Sequence, residues 1–429
     1  MKKALFFILI NTLLSTVYAQ KISMESILAS IEYDDRVASN KQNTAFASGL
    51  NYRLPILKKV DFRLGINGNL TNDTLDGTWR NEDFYAINIA TNNFREMRLQ
   101  RALKPAQLNI YNSEKQVLMQ QALLERFQSI VGIFYGQKLY EERNRLKKIL
   151  LEKENILRLS LEQGVDIRFK DVMDTESDKN TLATALLEYE NNVFFQEERI
   201  RQFLKITDNQ AVIIDFDAFI SAEQIEKEVA LLKINKTLFH PTFALRDAQT
   251  AYSMAEYRLE KTQNRQFFNF FQVAYNPLAY SPIESKKFKA LNDVNFRLGL
   301  TIPLPANNNL KNTQAALQHK EDEQTAILVR QSQAKLIDVQ YIKVENILKS
   351  LRLNDKNAKE SLIKKMLDNA KLLAQITPSE ILDLNITQRK IELRSIELSA
   401  DLTNEYLRLL DITGALSVYK NKNFLKGIQ

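Results

Sequence analysis

Hydrophobic positions along this chain recur with two different periods, and each period predicts a different element. From Val172 to Phe203 a stripe runs Val172, Thr175, Lys179, Leu182, Leu186, Tyr189, Val193, Gln196, Ile200 and Phe203, at alternating steps of three and four. That spacing predicts a helix with a coiled-coil seam. After Pro378 two stripes coexist. One is Leu384, Ile391, Leu398, Leu402, Leu409 and Ile412; the other, offset by two, is Ile386, Leu393, Ala400 and Leu407. Two residues are about 200° apart on a helix of 3.6 residues per turn. This helix therefore needs a neighbour on each of two nearly opposite sides, as in the wall of a helical barrel; a buried bundle helix would also satisfy it.

The segments before these two, about 93–163 and 308–375, keep helical composition with only Pro105, Gly132 and Gly136 as interruptions. Each would be roughly 100 Å long at 1.5 Å per residue, far beyond the ordinary globular helix. Period two appears in only two places. Val60, Phe62, Leu64 and Ile66 alternate with Asp61, Arg63 and Asn67, and Tyr85, Ile87 and Ile89 alternate with Ala86, Asn88 and Ala90. Later, Phe271, Val273 and Tyr275 alternate with Gln272, Ala274 and Asn276, and Phe296, Leu298 and Leu300 alternate with Arg297 and Gly299. These predict two hairpins, with strands at about 60–70 and 84–92 and at about 267–276 and 294–303. Strands of about ten residues suit a tilted membrane crossing; a soluble sheet with one buried face is the other reading of the same pattern.

The order helix, hairpin, very long helix, shorter helix thus occurs twice, over 20–207 and 235–414, with 208–234 between the repeats and 415–429 as a tail. Phe203-Leu204-Lys205-Ile206-Thr207 also matches Leu409-Leu410-Asp411-Ile412-Thr413 at an offset of 206. An internal duplication accounts for both.

Composition narrows the class. Ten Gly and eight Pro in 429 residues leave room for long unbroken elements. Zero Cys excludes disulfides, thiolate metal sites and a lipidated N-terminal cysteine. Lys2 and Lys3, the apolar stretch Ala4 to Leu14, and Val17-Tyr18-Ala19 predict a signal peptide, 1–19, cleaved after Ala19. No apolar run of 18 residues follows Gln20, so a membrane-spanning form would have to be a β-barrel. The net charge of +7 is dispersed, without a basic patch interleaved with aromatics, which argues against nucleic acid as a partner. His240 and His319 are the only histidines, and neither has a triad or metal partner at useful spacing. No catalytic site, metal site or cofactor is predicted.

Four amphipathic strands cannot close a membrane barrel, whose smallest bacterial forms have about eight. Open edges in lipid would leave backbone groups unpaired. Three copies supplying twelve strands would close one.

Here the chain resembles the TolC family of outer-membrane efflux proteins over essentially its whole length after Gln20. The resemblance rests on the duplicated order and on four local matches: His240-Pro241 opening a helix, Leu300-Thr301-Ile302-Pro303-Leu304 leaving the fourth strand, Gln163-Gly164-Val165-Asp166 followed by Asp171-Val172-Met173-Asp174, and Tyr406-Leu407-Arg408-Leu409-Leu410-Asp411-Ile412-Thr413-Gly414. The second helix turn, Ala374-Gln375-Ile376-Thr377-Pro378-Ser379, departs from the pattern in lacking Gly, and Ala90-Thr91-Asn92-Asn93-Phe94 in lacking Pro. The resemblance implies an α+β membrane protein: a homotrimeric, 12-stranded β-barrel continuous with a long periplasmic α-helical barrel. It implies a passive exit duct in a tripartite efflux or type I secretion system, in the outer membrane of a Gram-negative bacterium, with a periplasmic adaptor and an inner-membrane pump as partners.

It also implies site residues. Asp171, Asp174, Glu380 and Asp383 match the acidic positions that line the periplasmic constriction. Gly164, Val165, Ile376 and Thr377 match the helix tips that dock the adaptor. The residues themselves offer a plainer account of some: Thr377-Pro378-Ser379-Glu380 reads as a capping box, and acids favour the first turn of a helix in any case. Phe267, Phe268, Phe271 and Tyr275 would form an interfacial aromatic girdle, or pack a sheet core. The competing function is a periplasmic coiled-coil scaffold or adaptor that never enters the membrane.

Overall fold

The computed structural model describes residues 20–52, 55–70, 79–92, 94–165, 167–206, 212–216, 218–234, 240–263, 268–275, 294–300, 309–369, 376–418 and 422–427. The predicted signal peptide, Phe267 and the passage 301–304 lie outside them. In chain order the elements are β1 (Gln20–Ser23), α1 (Met24–Ala29), α2 (Asp35–Gly49), β2 (Leu57–Leu70), β3 (Trp79–Thr91), α3 (Phe94–Glu162), α4 (Phe169–Leu204), β4 (Val212–Asp215) and α5 (Ala222–Ile234). They continue with α6 (Pro241–Gln263), β5 (Phe268–Tyr275), β6 (Val294–Leu300), α7 (Asn309–Glu360), α8 (Leu362–Leu367), α9 (Pro378–Ile412) and α10 (Ala415–Val418). The chain divides into two compact units: Met1–Asn40, Lys115–Pro241 and Arg330–Gln429 in one, Lys41–Glu114 and Thr242–Val329 in the other.

In the second unit the two hairpins join into one antiparallel sheet of order β2-β3-β5-β6. The register aligns the apolar positions across all four strands. Phe62 faces Ile87, Ile87 faces Val273, and Val273 faces Phe296. Leu64, Tyr85, Tyr275 and Val294 form the next row. Because side chains alternate, the intervening row Asp61, Asn88, Gln272 and Arg297 lies on the opposite face. Gly299 sits opposite Phe270, whose ring leaves no room for a Cβ there.

In the first unit the long helices pack along the predicted seams. Thr175, Leu182, Leu186 and Ile200 of α4 are buried, and both stripes of α9 are buried or half-buried, with Ile386, Leu398, Leu402 and Leu407 fully so. Close approach between α3 and α4 needs a small residue: a Cβ on Gly136 would meet the Tyr189 ring at 3.0 Å. One turn further along, Tyr140 stacks on Tyr189 with centroids 4.7 Å apart.

Two features differ from the sequence reading, and two segments it left without an element have structure. The helix expected over 308–375 ends at Glu360, because Ser361 leaves helical geometry (ψ 130°) and its hydroxyl caps the short α8 by accepting from the Ile363 N–H. Strands occur in a third place, where β1 pairs in parallel with β4, Gln20 opposite Val212. The segment 208–234 is therefore partly strand and helix, with Ile214, Ile225 and Val229 in the core. The described part of the tail 415–429 packs on the core: Phe424 and Leu425 are buried, Phe424 meets Phe127 edge-on, and Ile220 and Gly427 make backbone hydrogen bonds with Leu425 and Ala218.

Candidate functional site: an inverted sheet and the paired helix turns

A soluble sheet hides its apolar face. This one exposes it. Phe62 is 78% exposed and Leu64 75%, and Tyr85, Ile87, Phe296, Leu298 and Leu300 are also exposed. On the other face Asn88 and Gln272 are only 8% and 6% exposed, with Ala86 and Ala274 beside them. The exposed face is continuous across the four strands. A contiguous apolar surface of this kind marks contact with lipid or another apolar partner. Of the predicted girdle, Phe271 and Tyr275 lie on this face, Phe271 stacked on Phe296 with centroids 6.2 Å apart. Phe268 pairs with Leu300 at the end of β5. Tyr85 lies directly across from Tyr275, an aromatic pair that reading each hairpin alone does not reveal. Among the described residues β2 and β6 are the outer strands, each with one edge that no other described strand pairs.

The two helix turns are built differently. The first ends α3 by a Schellman motif: Gly164 takes φ +69°, its N–H donates to Leu161 O, and the Val165 N–H donates to Ser160 O. Only a residue without Cβ adopts that φ freely, which accounts for the glycine. Val165 is exposed. The second turn is held from its far side. Thr377 N-caps α9, Pro378 occupies the first helical position, and Ile376 is half-buried. The Thr377 N–H donates to Glu380 Oε2 at 3.0 Å while the Glu380 N–H donates to Thr377 Oγ1 at 3.3 Å. The bond from the Thr377 N–H and a second from its hydroxyl to Glu380 Oε2 at 2.8 Å, with Arg168 adding positive charge, hold the Glu380 carboxyl below its ordinary range despite a small opposing effect of burial.

The acids of the two turns are not equivalent. Asp383 on α9 accepts from Lys153 Nζ of α3 at 2.6 Å. Asp174 on α4 is exposed, and Asp171 is half-buried in its first turn, where its carbonyl accepts from Thr175 Oγ1. Further ion pairs tie the same helices: Lys179 to Glu154 between α4 and α3 at 2.9 Å, Arg389 to Glu142 between α9 and α3 at 2.8 Å, and Lys390 to Asp178 between α9 and α4 at 2.8 Å. Two of the four predicted gate carboxylates, Glu380 and Asp383, are thus engaged within the chain.

Other polar sites escaped the sequence reading because their partners are far apart along the chain. Arg126 is fully buried and donates to Asp34 Oδ2 at 3.1 Å and Ser30 Oγ at 2.9 Å. Gln120 donates its side-chain amide to Asp411 Oδ1 at 2.7 Å beside His240 Nε2 at 3.2 Å. Burial pushes the Asp411 carboxyl up and the His240 imidazole down. His240 is thereby placed as a structural residue at the mouth of α6. Among the described residues no cluster of His, Asp and Glu could hold a metal ion.

The element order and the four-stranded sheet define the fold: that of outer-membrane channels of the TolC kind, the class the sequence resembles. Solved channels agree with it along the chain. CusC, described through conformational changes accompanying folding and transmembrane channel formation, matches with a TM-score of 0.60 at 11% identity, covering 91% of this chain and 92% of that one. The open state of the Neisseria gonorrhoeae MtrE outer-membrane channel matches with 0.60 at 12% identity, covering 91% and 88%. The Campylobacter jejuni CmeC outer-membrane channel matches with 0.52 at 11%, covering 91% and 84%. No family model and no curated protein matches the chain.

Proposed function

We propose that three copies of this chain form an outer-membrane channel, the passive exit duct of a tripartite efflux or type I secretion system. The observation that carries this reading is the inverted sheet, with apolar side chains outward, Asn88 and Gln272 inward, and, among the described residues, an edge on β2 and on β6 that no strand pairs. In lipid such edges must be paired, and twelve strands from three copies would pair them. No helix among the described residues is long and apolar enough to cross a membrane. Phe271 and Tyr275, with Phe267 and Phe268, would form the aromatic girdle at the headgroup level.

In this reading the helix turns face the periplasm. Gly164, Val165, Ile376 and Thr377 dock the adaptor, and an inner-membrane pump supplies the energy. Asp171 and Asp174 carry the free charge of the constriction, with Glu380 and Asp383 held in place by Thr377 and Lys153. A ring of carboxylates concentrates cations at a narrow opening.

The test is to express the full chain in a Gram-negative host and fractionate the membranes. A heat-modifiable trimer in the outer-membrane fraction that conducts ions in planar bilayers is the expected result. A monomer or dimer in the soluble periplasmic fraction would sink the reading and favour a periplasmic scaffold.

A further inference from the structure

In the second unit only residues 92 and 93 separate the end of β3 from the start of α3. The junction is tightly held. Buried Asn92 donates its N–H to Ile56 O at 2.9 Å and its side-chain amide to Pro55 O at 2.7 Å. These bonds set the start of α3 beside the start of β2, where Leu57 pairs with Thr91 and Lys58 falls at the register shift before Lys59. Phe94, 77% exposed, lies on one stripe of α3 with exposed Arg98 and Arg101, at steps of four and three. Glu96, Met97 and Leu103 turn to the buried side. Ile56, Leu57 and Lys58 are also exposed. Lys59 is paired with Asp61 at 2.9 Å, but among the described residues no carboxylate pairs with Lys58, Arg98 or Arg101. The second long helix opens in the same way: Leu310 is 72% exposed, and exposed Lys311 follows it in a first turn without an acid. A cation there opposes the helix dipole, so helix stability does not account for it.

We infer that this junction holds an anionic phospholipid of the periplasmic leaflet, its phosphate on Arg98, Arg101 and Lys58 and its glycerol and acyl chains along Phe94, Ile56 and Leu57. On the reading that the apolar sheet face meets lipid, on which this site depends, one end of that face must lie at the headgroups. Leu57 stands at that end, one step before the apolar row Val60, Ile89, Phe271 and Leu298. Phe94 then sits at the headgroup level that aromatic rings prefer. Arg98 and Arg101 start about 6 and 10 Å further along the helix. The headgroup layer of one leaflet is about 5–8 Å deep. Long side chains on a helix lean toward its N-terminus, which brings both guanidinium groups back into that layer. Their planar forks match phosphate oxygens in pairs. Net negative charge is selected because the acids nearby are taken: Glu96 is buried and Asp61 is held by Lys59, so the ammonium of a zwitterionic head finds no partner. An acidic protein segment would satisfy the cations but leave the adjoining apolar face uncovered, whereas one lipid covers both.

The experiment is electron paramagnetic resonance of spin-labelled phosphatidylglycerol and spin-labelled phosphatidylcholine, each added as a trace to the full chain in phosphatidylcholine vesicles. The motionally restricted fraction of each label measures lipid held at the protein surface. Phosphatidylglycerol should be held about threefold more strongly than phosphatidylcholine, averaged over the perimeter, and high salt should shrink the excess. Arg98→Gln combined with Arg101→Gln, changes at exposed positions, should bring the ratio close to one. Lys147→Gln combined with Lys148→Gln removes the same charge far along α3 and should leave the native ratio. Restricted lipid without a preference for phosphatidylglycerol, a preference that survives loss of both arginines, or one lost equally with Lys147 and Lys148 would overturn the site and leave the channel standing. No restricted lipid with either label would overturn the channel itself, and this site with it.

Discussion

Lys153 of α3 and Asp383 of α9 are joined by a hydrogen bond of 2.6 Å in which only one partner is buried: the lysine side chain is 5% exposed, the aspartate 48%. The asymmetry predicts unequal costs. Asp383→Ala strands a buried ammonium and should destabilise the helical unit by about 1–2 kcal/mol, after allowing for the solvated partner. Lys153→Met leaves a carboxylate that water can reach and should cost less than about 1 kcal/mol. Urea unfolding followed by helical circular dichroism would separate them, and equal losses would contradict this account of the pair.

The same pairing changes what is expected of the proposed constriction and its proposed gate residues. Asp174→Asn should move the bilayer reversal potential towards non-selectivity. Glu380→Gln should move it little, because glutamine preserves the capping box and the glutamate is already engaged by Thr377. Identical reversal potentials for the native chain and Asp174→Asn would remove Asp174 from the gate.

The buried Arg126 gives the protein an acid-sensitive clasp. Burial pushes the Asp34 carboxyl up, but hydrogen bonds from Arg36 and Arg126 outweigh it and leave the carboxyl below its ordinary range. A carboxyl lowered on folding contributes stability that is complete above the unfolded value, near about 4, and drains away as pH falls through the folded one. Thermal stability should therefore fall on acidification below about pH 4, and Asp34→Asn should flatten that slope. Asp34→Ala, which leaves Arg126 buried without its carboxylate, should cost roughly 3 kcal/mol at neutral pH.

The exposed sheet face can be tested without reference to conductance. Phe62→Arg and Leu298→Arg place a charge among rows that face outward. If those rows meet lipid, each should lose roughly 2–4 kcal/mol of membrane stability, depending on depth. The signal is a lower unfolding midpoint of the heat-modifiable species. Wild-type behaviour in both variants would mean the face meets water.

Helix packing makes one further demand. Gly136→Val would drive its side chain into the Tyr189 ring, which already lies 3.0 Å from an added Cβ. Overpacking of this kind costs about 1–3 kcal/mol. Gly49→Ala, with open space around its Cβ, serves as the control and should unfold like the native chain.

What the sequence determined by itself was everything carried by local period. The seam of α4, the two-sided burial of α9, the alternation of Phe62, Leu64, Tyr85 and Ile87, the turn at Gly164 and the capping box at Thr377 all follow from residues a few positions apart. Periodicity states which face of an element is apolar, and neighbours along the chain state where it starts and stops. Even so, Ser361 shows how one hydroxyl competing for backbone N–H groups ends a helix that composition would have carried on. Only the tertiary structure decided that the apolar sheet face stays exposed while Asn88 and Gln272 are covered, since alternation reads the same for a sheet turned either way. It alone brought Gln20 beside Val212, Phe424 onto Phe127, Asp34 to Arg126 and Lys153 to Asp383. Those partners are chosen by where distant elements cross, a geometry set by the packing of the whole unit, to which no short stretch of residues is sensitive.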